Sequence, residues 1–217
     1  MKIILTGSTG FAGSEVLTQC IESPTITSII VLSRRPLKNS QKHDKVNTII
    51  MSDFRSYSPE MIQIIANADA CIWCLGGTTA EAEIEFPLAF THAMTQNWST
   101  RTKPFRYIHC SGVLAERDQT KNLWFLQEGR RAKGQAETEL LQFAAEHQQR
   151  GLWQTYIMRP SMIMPKEASL VQRLVGVLLG SVRVDELART SIQLALVGNT
   201  STIIENDGLV KLGCSTK

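Results

Sequence analysis

Short apolar runs alternate along this chain with longer segments whose apolar residues recur every three or four positions, starting with Lys2–Thr6 and Ala12–Ile21. The pattern predicts strands at Lys2–Thr6, Ile26–Leu32, Val46–Met51, Ala70–Cys74, Phe105–Cys110 and Trp153–Arg159, and helices at Ala12–Ile21, Pro59–Ala66, Glu81–Ser99 and from Asn122 to Arg150. Several of these strands are apolar on both faces. A strand of that kind must be covered on both faces, and with helices between successive strands this means a parallel sheet, doubly wound, of the α/β class. Beyond Arg159 the pattern predicts a short amphipathic helix over Glu167–Leu179, a helix over Val184–Val197 and a late strand over Thr200–Glu205. No repeat and no linker-like tract interrupts the sequence, so residues 1–217 are expected to form one domain.

Composition narrows the class further. Of 217 residues, 43% are hydrophobic and 20% charged, which excludes disordered and low-complexity chains. The formal charge of +3 is too small and too dispersed for a nucleic-acid surface and leaves small anions as partners. Met1-Lys2 leads directly into Ile3-Ile4-Leu5 without a secretory leader, and the most apolar later stretch, Leu170 to Val182, is too short to span a bilayer. A soluble cytoplasmic protein is expected, with no membrane partner. The five cysteines, Cys20, Cys71, Cys74, Cys110 and Cys214, fit buried reduced thiols in the cytosol. Cys71 and Cys74 have CxxC spacing, but on a strand their side chains point to opposite faces, and no second Cys or His pair completes a zinc site.

In doubly wound sheets ligands bind beyond the carboxyl ends of the strands, so the residues after each strand carry the functional reading. After the first strand stand Gly7, Ser8, Thr9, Gly10, Phe11, Ala12 and Gly13, a GxxGxxG loop at the head of a helix. Glycine permits the tight turn and the close backbone approach, and the N–H groups of the helix start attract a pyrophosphate. After the second strand, where an NAD-selective site places a carboxylate, the chain has Arg34 and Arg35. Two guanidinium groups suit a ribose 2′-phosphate, which indicates NADP(H) as the cofactor. Asp53 and Phe54 follow the third strand, either bracketing the adenine or with Asp53 as a turn cap. Cys74, Leu75, Gly76 and Gly77 offer a small-residue edge beneath the ribose and pyrophosphate.

Taken together, TGSTGFAG, LSRRP, DF, CLGGT, a serine after the fifth strand, AKGQAE and RPSM resemble the atypical short-chain dehydrogenase/reductase group, in particular its NmrA-like and oxidoreductase-like Tat-interacting members. The resemblance implies a Rossmann-type core, NADP(H) binding and a small C-terminal, substrate-facing cap, here residues 160–200. The family's chemistry rests on a Ser, a Tyr and a Lys, the last two as YxxxK on one helical face. The serine corresponds to Ser111 and the lysine to Lys133, with Lys133 also holding the nicotinamide ribose; the tyrosine position holds Gly129. Arg159, Pro160, Ser161 and Met162 correspond to the bend over the nicotinamide edge, with pairing to a carboxylate as the other reading of Arg159.

Glycine neither donates nor accepts a proton, so the usual hydride-plus-proton mechanism loses its acid. Glu128 is the best replacement from sequence; His109 reads as a core residue, and His92, on the helix after the fourth strand, reads equally as facing solvent or as a base. The apolar stripe Leu170, Val171, Leu174, Val175 and Leu178 reads as core packing before a homodimer surface or a pocket lid. Three functions follow in order of preference. The first is an NADP(H)-dependent oxidoreductase acting on a small, fairly apolar carbonyl or enone. The second is a non-redox isomerase, cyclase or lyase on the same fold, and the third is an NADP(H)-sensing regulatory protein.

Overall fold

The computed structural model describes residues 1–38, 41–77, 79–96, 98, 101–147, 151–169, 172, 174, 176 and 180–215. Its main sheet contains β1 (Lys2–Thr6), β2 (Ser28–Ser33), β3 (Val46–Ile50), β4 (Ala70–Trp73), β5 (Phe105–Cys110), β6 (Trp153–Arg159) and β9 (Ile203–Glu205). They lie in the order β3-β2-β1-β4-β5-β6-β9, and every pairing is parallel. The chain winds outward from β1 to β3, then returns to β4 on the other side of β1, which makes the carboxyl ends of β1 and β4 the switch point.

The alternation of side chains sorts the core into two layers. Ile3, Leu5, Ile29, Val31, Ile72, Ile108 and Met158 face α1 (Phe11–Glu22) and α5 (Val184–Val197). Ile4, Ile30, Cys71, Trp73, Phe105, Tyr107 and Trp153 face α2 (Pro59–Ala66), α3 (Phe86–Thr95) and α4 (Gln127–His147). The second layer is aromatic: Phe90 lies 5.5 Å from Trp73, and Phe105 lies 5.1 Å from Trp153, ring centre to ring centre. Burial of these large faces on both sides is what strands apolar on both faces require. Cys71 and Cys74 fall in opposite layers.

Several boundaries differ from the sequence expectation. The helix expected over Glu81–Ser99 begins as a π-helical turn at Glu81–Glu85 before α3 and ends at Thr95; Ser99 lies outside the described residues. Helix α4 starts at Gln127 rather than Asn122, because Leu126 takes a left-handed conformation with φ of 47°. Arg150, its expected end, lies outside the described residues. A two-stranded parallel ribbon, β7 (Met162–Met164) with β8 (Ser181–Arg183), and the last helix, α6 (Asn206–Ser215), were not expected. Of the apolar stripe, Leu170, Val171, Val175 and Leu178 lie outside the described residues, and Leu174 is 68% exposed. Within residues 160–200, α5 packs on the sheet beside α1 instead of standing over the strand ends.

Candidate functional site

The glycine loop is built by contact. Gly7 has φ of 69°, and a methyl group there would overlap the Cys74 carbonyl; one on Gly13 would overlap the Gly7 carbonyl. These two glycines thus let β1 turn tightly and let α1 sit hard against the turn. Gly10 is exposed, supplies no side-chain cap to α1, and donates its N–H to the Gly7 carbonyl at 2.9 Å. Thr9 and Phe11 are exposed beside it, Ala12 is half-buried, and the buried Ser8 hydroxyl has no hydrogen-bond partner.

At the end of β2, the Ser33 hydroxyl donates to the Arg35 carbonyl at 2.8 Å and accepts from the Arg35 N–H at 3.2 Å, which shapes the turn. Arg34 and Arg35 are both exposed, and neither guanidinium has a hydrogen bond or ion pair among the described residues. Gln41 reaches from the following loop to the Ser8 carbonyl, at 3.3 Å, and joins this turn to the glycine loop.

The adenine expectation needs correction. Phe54 is 1% exposed and packs edge-on against Trp73, 6.1 Å between ring centres, so its ring lies in the core and offers no wall to a ligand. Both Asp53 oxygens are bound by Arg55, which also pairs with Glu81 at 2.9 Å. The Arg55 side chain and backbone N–H hold the Asp53 carboxyl below its usual range. Cys74 and Leu75 are half-buried, with the Leu75 N–H on the Thr6 hydroxyl at 3.2 Å, while Gly76 and Gly77 are exposed; Thr78 of the same motif lies outside the described residues.

On α4, Gly129, Lys133 and Glu137 follow one another at intervals of four and share a face. A methyl group on Gly129 would meet nothing within 4 Å, so the tyrosine position is open space. Lys133 donates to Glu83 Oε1 at 2.8 Å, and the same oxygen accepts the Gly77 N–H at 2.9 Å. Glu83, 2% exposed on the π-helical turn, is a residue the sequence reading missed. Glu128, proposed there as a substitute acid, is exposed.

Ser111 donates its hydroxyl proton to Glu137 Oε1 at 2.6 Å, leaving only lone pairs for a ligand. Glu137 has no exposed side-chain surface and also receives Arg117 at 2.9 Å and both Nε and Nη2 of Arg159. The remaining nitrogen of Arg159, Nη1, bonds Glu205 at 3.0 Å. The structure therefore gives Arg159 the carboxylate-pairing role, with every guanidinium nitrogen bonded to Glu137 or Glu205. Burial pushes the Glu137 carboxyl up, but hydrogen bonds from Arg159, Ser111 and Arg117 outweigh it and hold the group below its usual value. His109 is buried, with Nδ1 3.4 Å from the Tyr107 hydroxyl and Nε2 unpartnered; burial, with the nearby Lys133 charge, lowers its pKa to about 3 and keeps it neutral. His92 is exposed.

Pro160 is buried, Ser161 is held by its N–H on Asn206 at 3.0 Å, and Met162 is 39% exposed. An apolar rim from two loops carries Val113, Leu114, Trp124, Phe125 and Leu126, all exposed, with Trp124 at 92%. Arg130 binds the two loops together, donating to the Leu114 carbonyl at 3.0 Å and lying 4.9 Å over the Phe125 ring. No helix among the described residues is long and apolar enough to cross a membrane.

No protein-family model matches the chain. It is similar to leucinostatins biosynthesis cluster protein T of Purpureocillium lilacinum, 37% identical over 76 residues, a match that spans 35% of this chain and 28% of that protein. In structure it is similar to the reductase domain of PhqB from Penicillium fellutanum, with a TM-score of 0.67, 16% identity, and coverage of 94% of this chain and 66% of that one. The fold is that of the short-chain dehydrogenases and reductases. Yeast methylglyoxal/isovaleraldehyde reductase, solved with NADPH, shares it at a TM-score of 0.66 and 11% identity, over 94% of this chain and 77% of that one.

The pairing of Glu137 sets the acid stability. Its pKa is lower in the folded chain than unfolded, so its contribution is complete above about pH 4.3 and fades as pH falls through the folded value. Glu137→Gln, which leaves Arg159 and Arg117 without their buried counter-charge, should cost about 3 kcal/mol at neutral pH and flatten the acid limb. Urea unfolding followed across this pH range checks both, and an unchanged neutral midpoint would contradict the pairing.

Proposed function

We propose that this chain binds NADP(H) and acts as an oxidoreductase of the atypical short-chain dehydrogenase/reductase type on a small, fairly apolar carbonyl or enone in the cytoplasm. The observation that carries the reading is the pair of guanidinium groups, Arg34 and Arg35, unpartnered among the described residues, at the end of the strand that pairs with β1 and so beside a glycine loop whose Gly7 and Gly13 tolerate no side chain. Cations without internal acceptors among the described residues at the end of β2 match the 2′-phosphate of NADP(H), and the uncapped start of α1 matches its pyrophosphate.

The Gly7–Gly13 loop would hold the pyrophosphate, Arg34 and Arg35 the 2′-phosphate, Gly76 and Gly77 the ribose side, and Pro160, Ser161 and Met162 the nicotinamide edge. NADP(H) would supply the hydride. Lys133 has two ammonium protons beyond the one on Glu83, enough to orient a ribose hydroxyl and to bond a substrate oxygen. Ser111, its proton committed to Glu137, would accept from a substrate or water hydroxyl. The apolar rim of Trp124, Phe125 and Leu126 favours an apolar body on the substrate.

Non-redox chemistry is the second reading, and the open space at Gly129 favours it. An isomerase, cyclase or lyase needs no phenol beside Lys133.

Arg34→Glu combined with Arg35→Glu should weaken NADPH about 100-fold, the loss of two charge-assisted bonds, and leave NADH nearly unchanged. Calorimetry with both nucleotides checks this; an equal loss of both would sink the 2′-phosphate assignment. Gly129→Tyr restores a phenol four residues before Lys133 and should raise NADPH-dependent reduction of small carbonyls on the order of 100-fold. An unchanged rate of nicotinamide absorbance loss would favour the non-redox reading.

A further inference from the structure

The register that aligns Trp73 with His109 brings the next pair, Cys74 and Cys110, opposite one another at the carboxyl ends of β4 and β5. Both side chains pack against the α1 and α5 layer, both residues are half-buried, and both thiols are free. The two thiols are close enough for each to shift the titration of the other. Neighbouring strands run about 4.8 Å apart, inside the about 4.4–6.8 Å Cα separation that a disulfide spans.

We propose that Cys74 and Cys110 form a peroxide-oxidisable dithiol that closes to a disulfide beneath the glycine turn. The bond would join the residue whose carbonyl abuts Gly7 to the residue just before Ser111, and so fix the spacing of two strand ends. Cys110 is the attacking group: the adjacent Cys74 thiol lowers its pKa against burial and the Lys133 charge adds to the lowering, while Cys74, raised by its neighbour and by burial, stays protonated as the resolving thiol. Its thiolate attacks one oxygen of hydrogen peroxide, the O–O bond breaks, and the leaving hydroxide takes up a proton, giving a Cys110 sulfenic acid and water. The Cys74 sulfur then attacks the sulfenic sulfur, the S–S bond forms, the S–O bond breaks, and water leaves with the Cys74 proton. Two thiols and one peroxide thus become one disulfide and two waters. Cys20 and Cys71 are fully buried, and burial raises the pKa of both, that of Cys20 to about 12, so neither competes.

The test is independent of any dinucleotide. The reduced full chain carrying Cys214→Ser, which removes the exposed thiol, is treated with stoichiometric hydrogen peroxide, alkylated under denaturing conditions and mapped by peptide mass spectrometry. A linked pair of peptides bearing Cys74 and Cys110 is expected, with Cys20 and Cys71 fully alkylated. Adding Cys74→Ser should halt the reaction at a Cys110 sulfenic acid that a cyclic 1,3-diketone traps. The proposal is overturned if Cys74 and Cys110 both remain alkylatable after peroxide, or if the link joins either of them to a different cysteine.

Discussion

A carboxylate removed from water has to be matched by cations and hydrogen-bond donors, and Glu137 meets that demand with groups drawn from separate parts of the chain. Ser111 comes from the end of β5, Arg117 from the loop that follows, and Arg159 from the end of β6. Through Arg159 the network reaches Glu205 at the end of β9. One buried charge on α4 therefore locks the ends of three neighbouring strands in place. The same helix carries Lys133 one turn earlier, so the position of its ammonium group depends on the Glu137 cluster. The loop after β5 is drawn onto α4 so closely that a methyl group on Gly134 would overlap the Glu116 carbonyl.

The two sides of the sheet's carboxyl edge differ in how their charges are used. Around β5 and β6 the polar groups are spent internally: Arg159 on Glu137 and Glu205, Lys133 on Glu83, and the Ser111 hydroxyl on Glu137. At the end of β2, Arg34 and Arg35 have no such partners among the described residues. Internal pairing stabilises geometry, and unpaired cations at a strand end leave room for an anion. This asymmetry supports an anionic cofactor bound at one end and a neutral, apolar substrate at the other.

Much of the fold was legible because β1, β2 and β4 carry apolar runs, β5 and β6 are rich in residues that suit a buried strand, and Gly7, Gly10 and Gly13 mark the passage from β1 into α1. Elements without a periodic signal escaped: β7 and β8 have three residues each, and α6 contains Gly208 and Gly213, poor helix formers. Among site residues, Arg34 and Arg35 could be read from their place after β2. Phe54 could not, since sequence says nothing of whether a side chain just past a strand turns inward. Glu137 did carry a signal, its spacing of four from Lys133 and eight from Gly129. Glu83 carried a weaker one: it lies on the side of the turn opposite Glu81 and Glu85, but only the packing against Gly76 and Lys133 identifies the buried side.

The central claim is that the glycine loop and the two arginines together form a phosphate-selective dinucleotide site. Calorimetric titration of the wild-type chain, shown by mass spectrometry to be free of copurified nucleotide, with NADPH, NADP+ and NADH tests it most directly. The account predicts that NADPH and NADP+ bind about 100-fold more tightly than NADH. Equal affinity for NADPH and NADH, or no binding of any of the three, would contradict it.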